Sequence, residues 1–253
     1  MEQSPFSLNG KIALITGGGT GLGFGVAKSF IAAGSKVIIT GRREEVLRDA
    51  CDRLGKESDY IVNDVTDKSM TTPLVDEIEE NQGPIDILVN NAGIHLKKLA
   101  HEVTDEEFQN IMQTNVNGVF SLTREVTKKM VERNRGSVIM ITSMAALYGV
   151  PKVSAYTASK TAILGMTRSF AVELSPHDVR VNAIAPGFID APMLRKALDA
   201  DPERKRRILE RTPMNKFGEL DDIGNAAVFL ASSASKFITG VNLAVDGGNS
   251  IGF

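Results

Sequence analysis

A doubly wound α/β fold, with a parallel sheet of seven strands and helices on both faces, is the architecture this sequence predicts. Three observations predict it. Short apolar runs rich in Val and Ile alternate along the chain with amphipathic segments of helix length, the pattern of strands buried on both faces. A glycine cluster, Thr16-Gly-Gly-Gly-Thr-Gly21-Leu-Gly23, separates the first such run from the first helical segment. No repeat, low-complexity tract or linker interrupts the alternation, so residues 1–253 read as one domain.

In chain order the apolar runs are strands near 11–16, 36–40, 60–62, 85–90, 137–142, 179–183 and 241–245. Helical patterns lie between them near 22–33, 44–54, 68–81, 105–112, 116–134, 155–174 and 221–231. The second helix opens on Glu44 and Glu45, first-turn carboxylates that the helix dipole favours. Thr104-Asp-Glu-Glu107 is a capping box that starts the fourth. The least regular stretch is 186–217, divided by Pro186, Gly187, Pro192, Pro202 and Pro213. It follows the carboxyl end of a strand, where open α/β sheets bind ligands, and a loop this long is usually functional. It reads as a partly helical lid at about 188–217.

A chain of 253 residues can bury about three-quarters of its unfolded surface and needs no staple. Its one cysteine, Cys51, has no partner for an internal disulfide and falls in a charged helical stretch, where a structural role suffices. The start of the sequence has no basic segment or apolar core of a leader, and nowhere do eighteen apolar residues run together. Net charge is −2 and the pI about 6.0, with both signs interspersed, so nothing argues for nucleic acid or an anionic membrane as partner. A soluble, cytoplasmic protein is expected, with no metal.

The chemistry lies in Tyr156-Thr-Ala-Ser-Lys160, thirteen residues after Ser143. Residues i and i+4 share one helix face, so the Lys160 ammonium can sit close to the Tyr156 phenol. A free phenol titrates near ~10, and a neighbouring cation lowers that value. A phenol tuned towards the working pH gives a proton to a carbonyl oxygen as hydride arrives, or takes one from an alcohol as hydride leaves. Ser143 would hold the same oxygen. The glycines after the first strand let the backbone turn tightly and approach a pyrophosphate, whose charge meets the amino end of the next helix. The common G-x-G-x-x-G spacing is not met, since Phe24 stands at the third position counted from Gly19 and Gly21.

Taken together, Thr16-Gly-x-x-x-Gly-x-Gly23, Asn90-Asn-Ala-Gly93, Asn115, Ser143, Tyr156-x-x-x-Lys160 and Pro186-Gly187 resemble, in order and register, the motifs of the short-chain dehydrogenase/reductase family. The resemblance runs from Gly10 to Gly248 and implies a Rossmann-type fold and a nicotinamide cofactor. It implies a catalytic set of Asn115, Ser143, Tyr156 and Lys160, with Asn115 holding a relay water through its main chain and Lys160 also binding the nicotinamide ribose. Gly17, Gly19, Thr20, Gly21, Leu22 and Gly23 would cradle the pyrophosphate; Asn91, Ala92 and Gly93 would line the nicotinamide ribose; Pro186, Gly187 and Ile189 would border the nicotinamide. Relatives commonly bond the carboxamide through a threonine where this chain has Ala191, which leaves the main chain at Ile189. Asn63-Asp-Val65 matches the adenine-pocket segment. There Asp64 reads either as acceptor for the exocyclic amine, beside Val65, or as a turn or cap residue.

An acidic residue after the second strand would bind the ribose 2′-hydroxyl of NAD, whereas arginine accommodates the 2′-phosphate of NADP. This chain reads Thr40-Gly41-Arg42-Arg43, which favours NADP through Arg42 and Arg43, with NAD as the alternative if Glu44 or Glu45 curls back. For the substrate, a carbonyl compound or secondary alcohol, His95 and Ala145 are pocket candidates. The lid carries Arg195, Lys196, Arg204, Lys205, Arg206, Arg207 and Arg211: either a solvated helix face or an attraction for an anionic substrate, Arg195 being the first choice. Phe6-Ser-Leu-x-Gly10-Lys and Thr20-Gly-Leu-Gly23 are most similar to the family's sugar, sugar-acid and polyol branch, gluconate 5-dehydrogenases among them. The chain is almost as similar to 3-oxoacyl-acyl-carrier-protein reductases. A cofactor-sensing or interaction protein without turnover is the third reading, against which the complete set of four stands. The resemblance also implies a homotetramer built on 122–134, 156–174 and 240–253.

Overall fold

The computed structural model describes residues 4–191, 194, 198 and 201–252. Its strands are β1 (Ile12–Thr16), β2 (Lys36–Gly41), β3 (Ser58–Val62), β4 (Ile87–Asn90), β5 (Gly136–Ile141), β6 (Val179–Pro186) and β7 (Asn242–Val245). They form one sheet in the order β3-β2-β1-β4-β5-β6-β7, and every neighbouring pair is parallel. Strand order reverses between β1 and β4. The crevice at their carboxyl ends is where such sheets take a ligand.

Side chains alternate across the sheet, so each strand feeds two cores. Ala13 and Ile15 of β1 pack with Val26, Ala27 and Phe30 of α1 (Gly21–Ala32), with α2 (Glu44–Leu54) and with Ile223 and Ala227 of α8 (Leu220–Ala231). Leu14, between them, faces the other layer, made by α3 (Thr71–Asn81), α5 (Val119–Glu132) and α6 (Ser154–Leu174). The capping box is present at the start of α4 (Asp105–Met112), where the Thr104 side chain accepts from Glu107 N–H and the Glu107 carboxylate accepts from Thr104 N–H. Helix α7 (Pro202–Arg211) is the described helical part of the irregular stretch, with Asp201 as its amino-terminal cap.

Most boundaries fall within two residues of the sequence reading, and the three larger differences have physical reasons. The strand expected over 179–183 runs on to Pro186 because β7 pairs with Ala183 through Pro186. The helix expected from 68 begins as a 3-10 turn, Lys68–Met70, whose Asp67 cap bonds Ser69. The helix expected from 116 is joined directly to α4 by a π-helical turn, Gln113–Gly118. A wider turn of this kind leaves no mark in the apolar period and often accompanies functional sites.

Helices α1 and α8 approach closely through glycines. A methyl carbon at Gly224 would collide with Ser29 Oγ and lie 3.0 Å from the Gly25 carbonyl; one at Gly25 would lie 2.8 Å from Leu220 Cβ. Gly224→Val should therefore cost about 1–3 kcal/mol through overpacking. Urea unfolding checks this, and an unchanged midpoint would mean that the two helices can part without loss.

Candidate active site

The turn after β1 is shaped by its glycines. Gly17 has φ +64 and Gly21 φ +55, a left-handed backbone that side chains disfavour. At Gly23 a methyl carbon would strike the Gly17 carbonyl and come 2.5 Å from Asn91 Nδ2, so helix α1 must start against bare backbone. Asn91 fastens this turn to the end of β4: its Nδ2 donates to the Thr16 and Gly17 carbonyls, both at 3.0 Å. The N–H groups of Asn91 and Ala92 donate to Thr16 Oγ1 at 3.1 and 3.0 Å. Thr20 stands at the N-cap of α1 without capping it, and the first turn carries no acid. The first N–H groups of a helix have no partner inside it, so this end presents free donors and a positive dipole to an anion. A pyrophosphate fits this cradle.

Arg42 and Arg43 are exposed and enter no ion pair among the described residues. Glu44 accepts from the Tyr60 hydroxyl at 3.4 Å instead of turning towards the end of β2. Asp64 caps its own turn: Oδ1 accepts from Thr66 N–H at 2.9 Å and from Thr66 Oγ1 at 2.8 Å. Oδ2 makes no hydrogen bond among the described residues, so the turn reading holds for one oxygen and the acceptor reading stays open for the other. Val65 packs by its carbonyl against Gly118 of the π turn. Gly187 lies flat on Asp246, where a methyl carbon would come 2.6 Å from its Cα. Ile189 pairs with Gly218 so that Gly218 N–H reaches the Phe188 carbonyl and Asp190 N–H the Gly218 carbonyl; the Ile189 N–H itself has no partner among the described residues.

Gly93, Asn115, Ser159 and Lys160 meet beyond the carboxyl end of β4. Lys160 is 5% exposed and donates from Nζ to the Ile141 carbonyl at 2.7 Å. Gly93 lies beside it: a methyl carbon there would be 3.6 Å from Lys160 Nζ and 3.2 Å from Asn115 Oδ1. Asn115 is wholly buried on the π turn, with Oδ1 accepting from Ile94 N–H at 2.8 Å. Its Nδ2 donates to the Ile94 carbonyl at 2.9 Å and to Ser159 Oγ at 3.1 Å, and Ser159 Oγ in turn donates to the Tyr156 carbonyl at 2.7 Å. The Asn115 amide has thus spent both donors. Ser143 Oγ accepts from Ala145 N–H at 3.1 Å in a short 3-10 turn.

The charge tuning differs from the sequence expectation. The Lys160 ammonium lies 5.7 Å from the Tyr156 ring centroid and spends its bond on Ile141, so it does not sit at the phenol oxygen. Burial pushes the Tyr156 phenol above its ordinary value, and only the Ser143 hydroxyl pulls it down. Burial also lowers Lys160, to about 8.

At the mouth, the His95 ring packs against the Tyr156 ring, with centroids 4.7 Å apart. Partial burial, then the positive charges of Arg204 and Lys97, hold His95 below the ordinary histidine value. Ala145 is buried, its N–H used by Ser143, and offers less open surface than expected. Arg195 and Lys196 lie outside the described residues. The rest of the basic run divides. Arg206 pairs with Glu203 and Glu210, and Arg207 with Glu203, as a solvated face. Arg211 stacks over Tyr148, and Arg204 forms no ion pair among the described residues. Sequence reasoning had Arg204 only as one member of the basic run, with Arg195 preferred; the fold is what sets its charge against His95. It gave no role to Thr16 or Ser159, because Thr16 accepts from the main chain of Asn91 and Ala92 and Ser159 from the Asn115 amide, all far away in the chain.

No described helix is long and apolar enough to cross a membrane, and no metal-binding cluster occurs among the described residues. Among known proteins, a family model described as "Enoyl-(Acyl carrier protein) reductase" matches residues 17–250. The chain is 42% identical to a 2-dehydro-3-deoxy-D-gluconate 5-dehydrogenase of Bacillus subtilis over 96% of both chains. It is 36% identical to a 3-oxoacyl-[acyl-carrier-protein] reductase of Thermotoga maritima over 95% of this chain and 98% of that one. The fold superimposes with a TM-score of 0.93 on the crystal structure of a gluconate 5-dehydrogenase from Burkholderia cenocepacia in complex with NADP and tartrate, at 33% identity and 99% coverage of each chain. Matched over nearly its whole length in sequence, sheet order and motif register, the chain belongs to the short-chain dehydrogenase/reductase family.

Proposed function

We propose that this protein is an NADP(H)-preferring dehydrogenase that interconverts a ketone and a secondary alcohol on a sugar acid or a closely related anionic polyol. The bound nicotinamide supplies or accepts the hydride. Tyr156 gives its phenolic proton to the carbonyl oxygen in reduction and recovers one from the alcohol in oxidation. Ser143 holds that oxygen, Lys160 holds the nicotinamide ribose, and Asn115 orders the relay through its main chain. The chemistry rests on the convergence of Gly93, Asn115, Tyr156 and Lys160. The preference for NADP rests on the exposed Arg42 and Arg43 and on the engagement of Glu44 by Tyr60.

The substrate class rests on one observation: the positive charges of Arg204 and Lys97 bear on His95, whose ring lies on Tyr156. Cations whose charge is felt beside Tyr156 favour a substrate that carries a carboxylate near its carbonyl. The sugar-acid dehydrogenases among the relatives support this reading. The second reading, a 3-oxoacyl-carrier reductase, rests on the same cations meeting an acidic carrier. We further read 188–217 as a lid, the assembly as a homotetramer and the location as cytoplasmic. Apolar Val172 and Phe237, 77% and 102% exposed, are consistent with contact between copies.

Tyr156→Phe keeps the ring and removes the proton, so turnover should fall by at least ~10²-fold while NADPH still binds. Because burial raises the phenol, reduction at saturating cofactor should stay level through neutral pH and decline only in alkali, and oxidation should rise as the phenolate forms. Near-normal turnover by Tyr156→Phe, or an oxidation rate that falls with rising pH, would defeat the assignment.

Gly41→Asp with Arg42→Ala should move preference from NADPH to NADH. A methyl carbon at Gly41 lies 3.4 Å from Leu47 Cδ2, ordinary contact, so the carboxylate has room. It repels the 2′-phosphate, and the lost arginine removes a charged hydrogen bond worth roughly 1.5–3 kcal/mol. The ratio of kcat/KM for the two cofactors decides; an unmodified enzyme that already prefers NADH would refute the role given to Arg42.

A panel of keto-sugar acids, neutral ketoses and an acetoacetyl thioester tests the substrate. Arg204→Gln should raise KM for a carboxylate substrate about tenfold to a hundredfold and leave a neutral ketose unchanged. Equal effects on charged and neutral compounds would return Arg204 to the solvated face of α7.

A further inference from the structure

We propose that Tyr148 and Asn249 are positioning residues: through them the 246–252 segment holds the Ser143 loop and helix α7 in one fixed relation across the cleft. The proposal rests on the reading of Ser143 as the group that holds the substrate oxygen.

Asn249 is 0% exposed, and a buried amide is costly unless its groups are met. Here they are met by two other segments. Oδ1 accepts from the Tyr148 hydroxyl at 2.6 Å, on the loop that follows Ser143. Nδ2 donates to Thr212 Oγ1 at 2.9 Å, and the Asn249 carbonyl accepts from Arg211 Nε at 3.1 Å, both at the carboxyl end of α7. A second tie joins the same two segments directly, since the Arg211 guanidinium lies 4.3 Å from the Tyr148 ring centroid.

A displacement of Tyr148 passes to Ser143 through one short turn. Tyr148 N–H donates to the Met144 carbonyl at 3.2 Å, Met144 is buried, and Ala145 N–H holds Ser143 Oγ. The 246–252 segment is firm enough to serve as the fixed point. Asp246 turns it back on itself, accepting from Gly248 N–H at 2.9 Å and Ser250 N–H at 2.8 Å, and Gly187 packs flat on Asp246. The segment therefore backs the loop expected to border the nicotinamide as well as the serine loop. An apolar patch would hold these pieces together without fixing their register, whereas directed hydrogen bonds from one buried amide to two segments specify one arrangement.

Tyr148→Phe tests this with little disturbance, because it keeps the ring over Arg211 and removes the bond to Asn249. Rates would be read with NADPH and whichever panel compound the unmodified enzyme reduces, so failure of the sugar-acid reading leaves the test intact. The expected result is a fall in kcat of about tenfold to a hundredfold, as for a misplaced reacting geometry, with NADPH Kd little changed and Tm lowered by only a few degrees for the unmet Asn249 oxygen. In a Ser143→Ala background the same substitution should add little further loss, since the group that it positions is gone. Unchanged kcat in the single variant, or an equal factor in both backgrounds, would overturn the proposal and leave the network a structural tie.

Discussion

The buried ammonium of Lys160 sets the terms for the rest of the site. Removing such a cation from water costs several kcal/mol, and a single carbonyl bond, worth about 1.5–3, does not cover it. The shortfall appears as a pKa lowered to about 8. An ammonium has three donors, and the bond to Ile141 uses one. The proposed ribose contact supplies acceptors to the others and so raises the Lys160 pKa when the cofactor binds. By linkage, binding then takes up protons above about 8, and affinity for the cofactor declines as pH rises through that value. The neighbours follow from the same need. Gly93 is small enough to let Asn115 and Lys160 approach, and Asn115 fixes the Ile94 main chain with both ends of its amide.

The cofactor end applies the same logic with the opposite charge. Helix α1 begins without a side-chain cap and without an acid in its first turn. Such an end is unfavourable in isolation and favourable beneath a phosphate. Asn91 and Thr16 join this turn to β4, so the anion cradle and the Lys160 pocket are held by one set of side-chain-to-main-chain bonds. The distance between the two ends of a dinucleotide site is thereby fixed by the sheet itself.

Much of this was legible in the sequence because its causes are local. Apolar runs and the Thr104 to Glu107 spacing act over a few residues, and so does the glycine cluster; the seven strands and the capping box stand where those signals place them. The candidate site residues came as a set from the register of the motifs; of them, only the pairing of Tyr156 with Lys160 has a local cause, one shared helix face. What stayed hidden depends on partners far away in the chain. Nothing in 113–118 announces a π turn. The direction of the Tyr156 shift depends on burial and on where the Lys160 ammonium points, and neither follows from a spacing of four. Asn249 carries no motif: its meaning comes from Tyr148, a hundred and one residues earlier.

The basic run of α7 shows how one helix divides its charges. Glu203 and Glu210 answer Arg206 on the solvent side, and Tyr148 with Asn249 answers Arg211 at the carboxyl end. Arg204, in the first turn, forms no ion pair among the described residues, and its charge bears on His95. A carboxylate bound there would therefore act on a helix whose other end is tied, through Tyr148, to the loop of Ser143. Contacts remote from the reacting carbon raise turnover only when they improve the fit to the transition state. A rigid helix joining the anion contact to the proposed oxygen-binding serine provides such a route: a substrate with its charge misplaced binds Arg204 or reaches Ser143, and cannot do both.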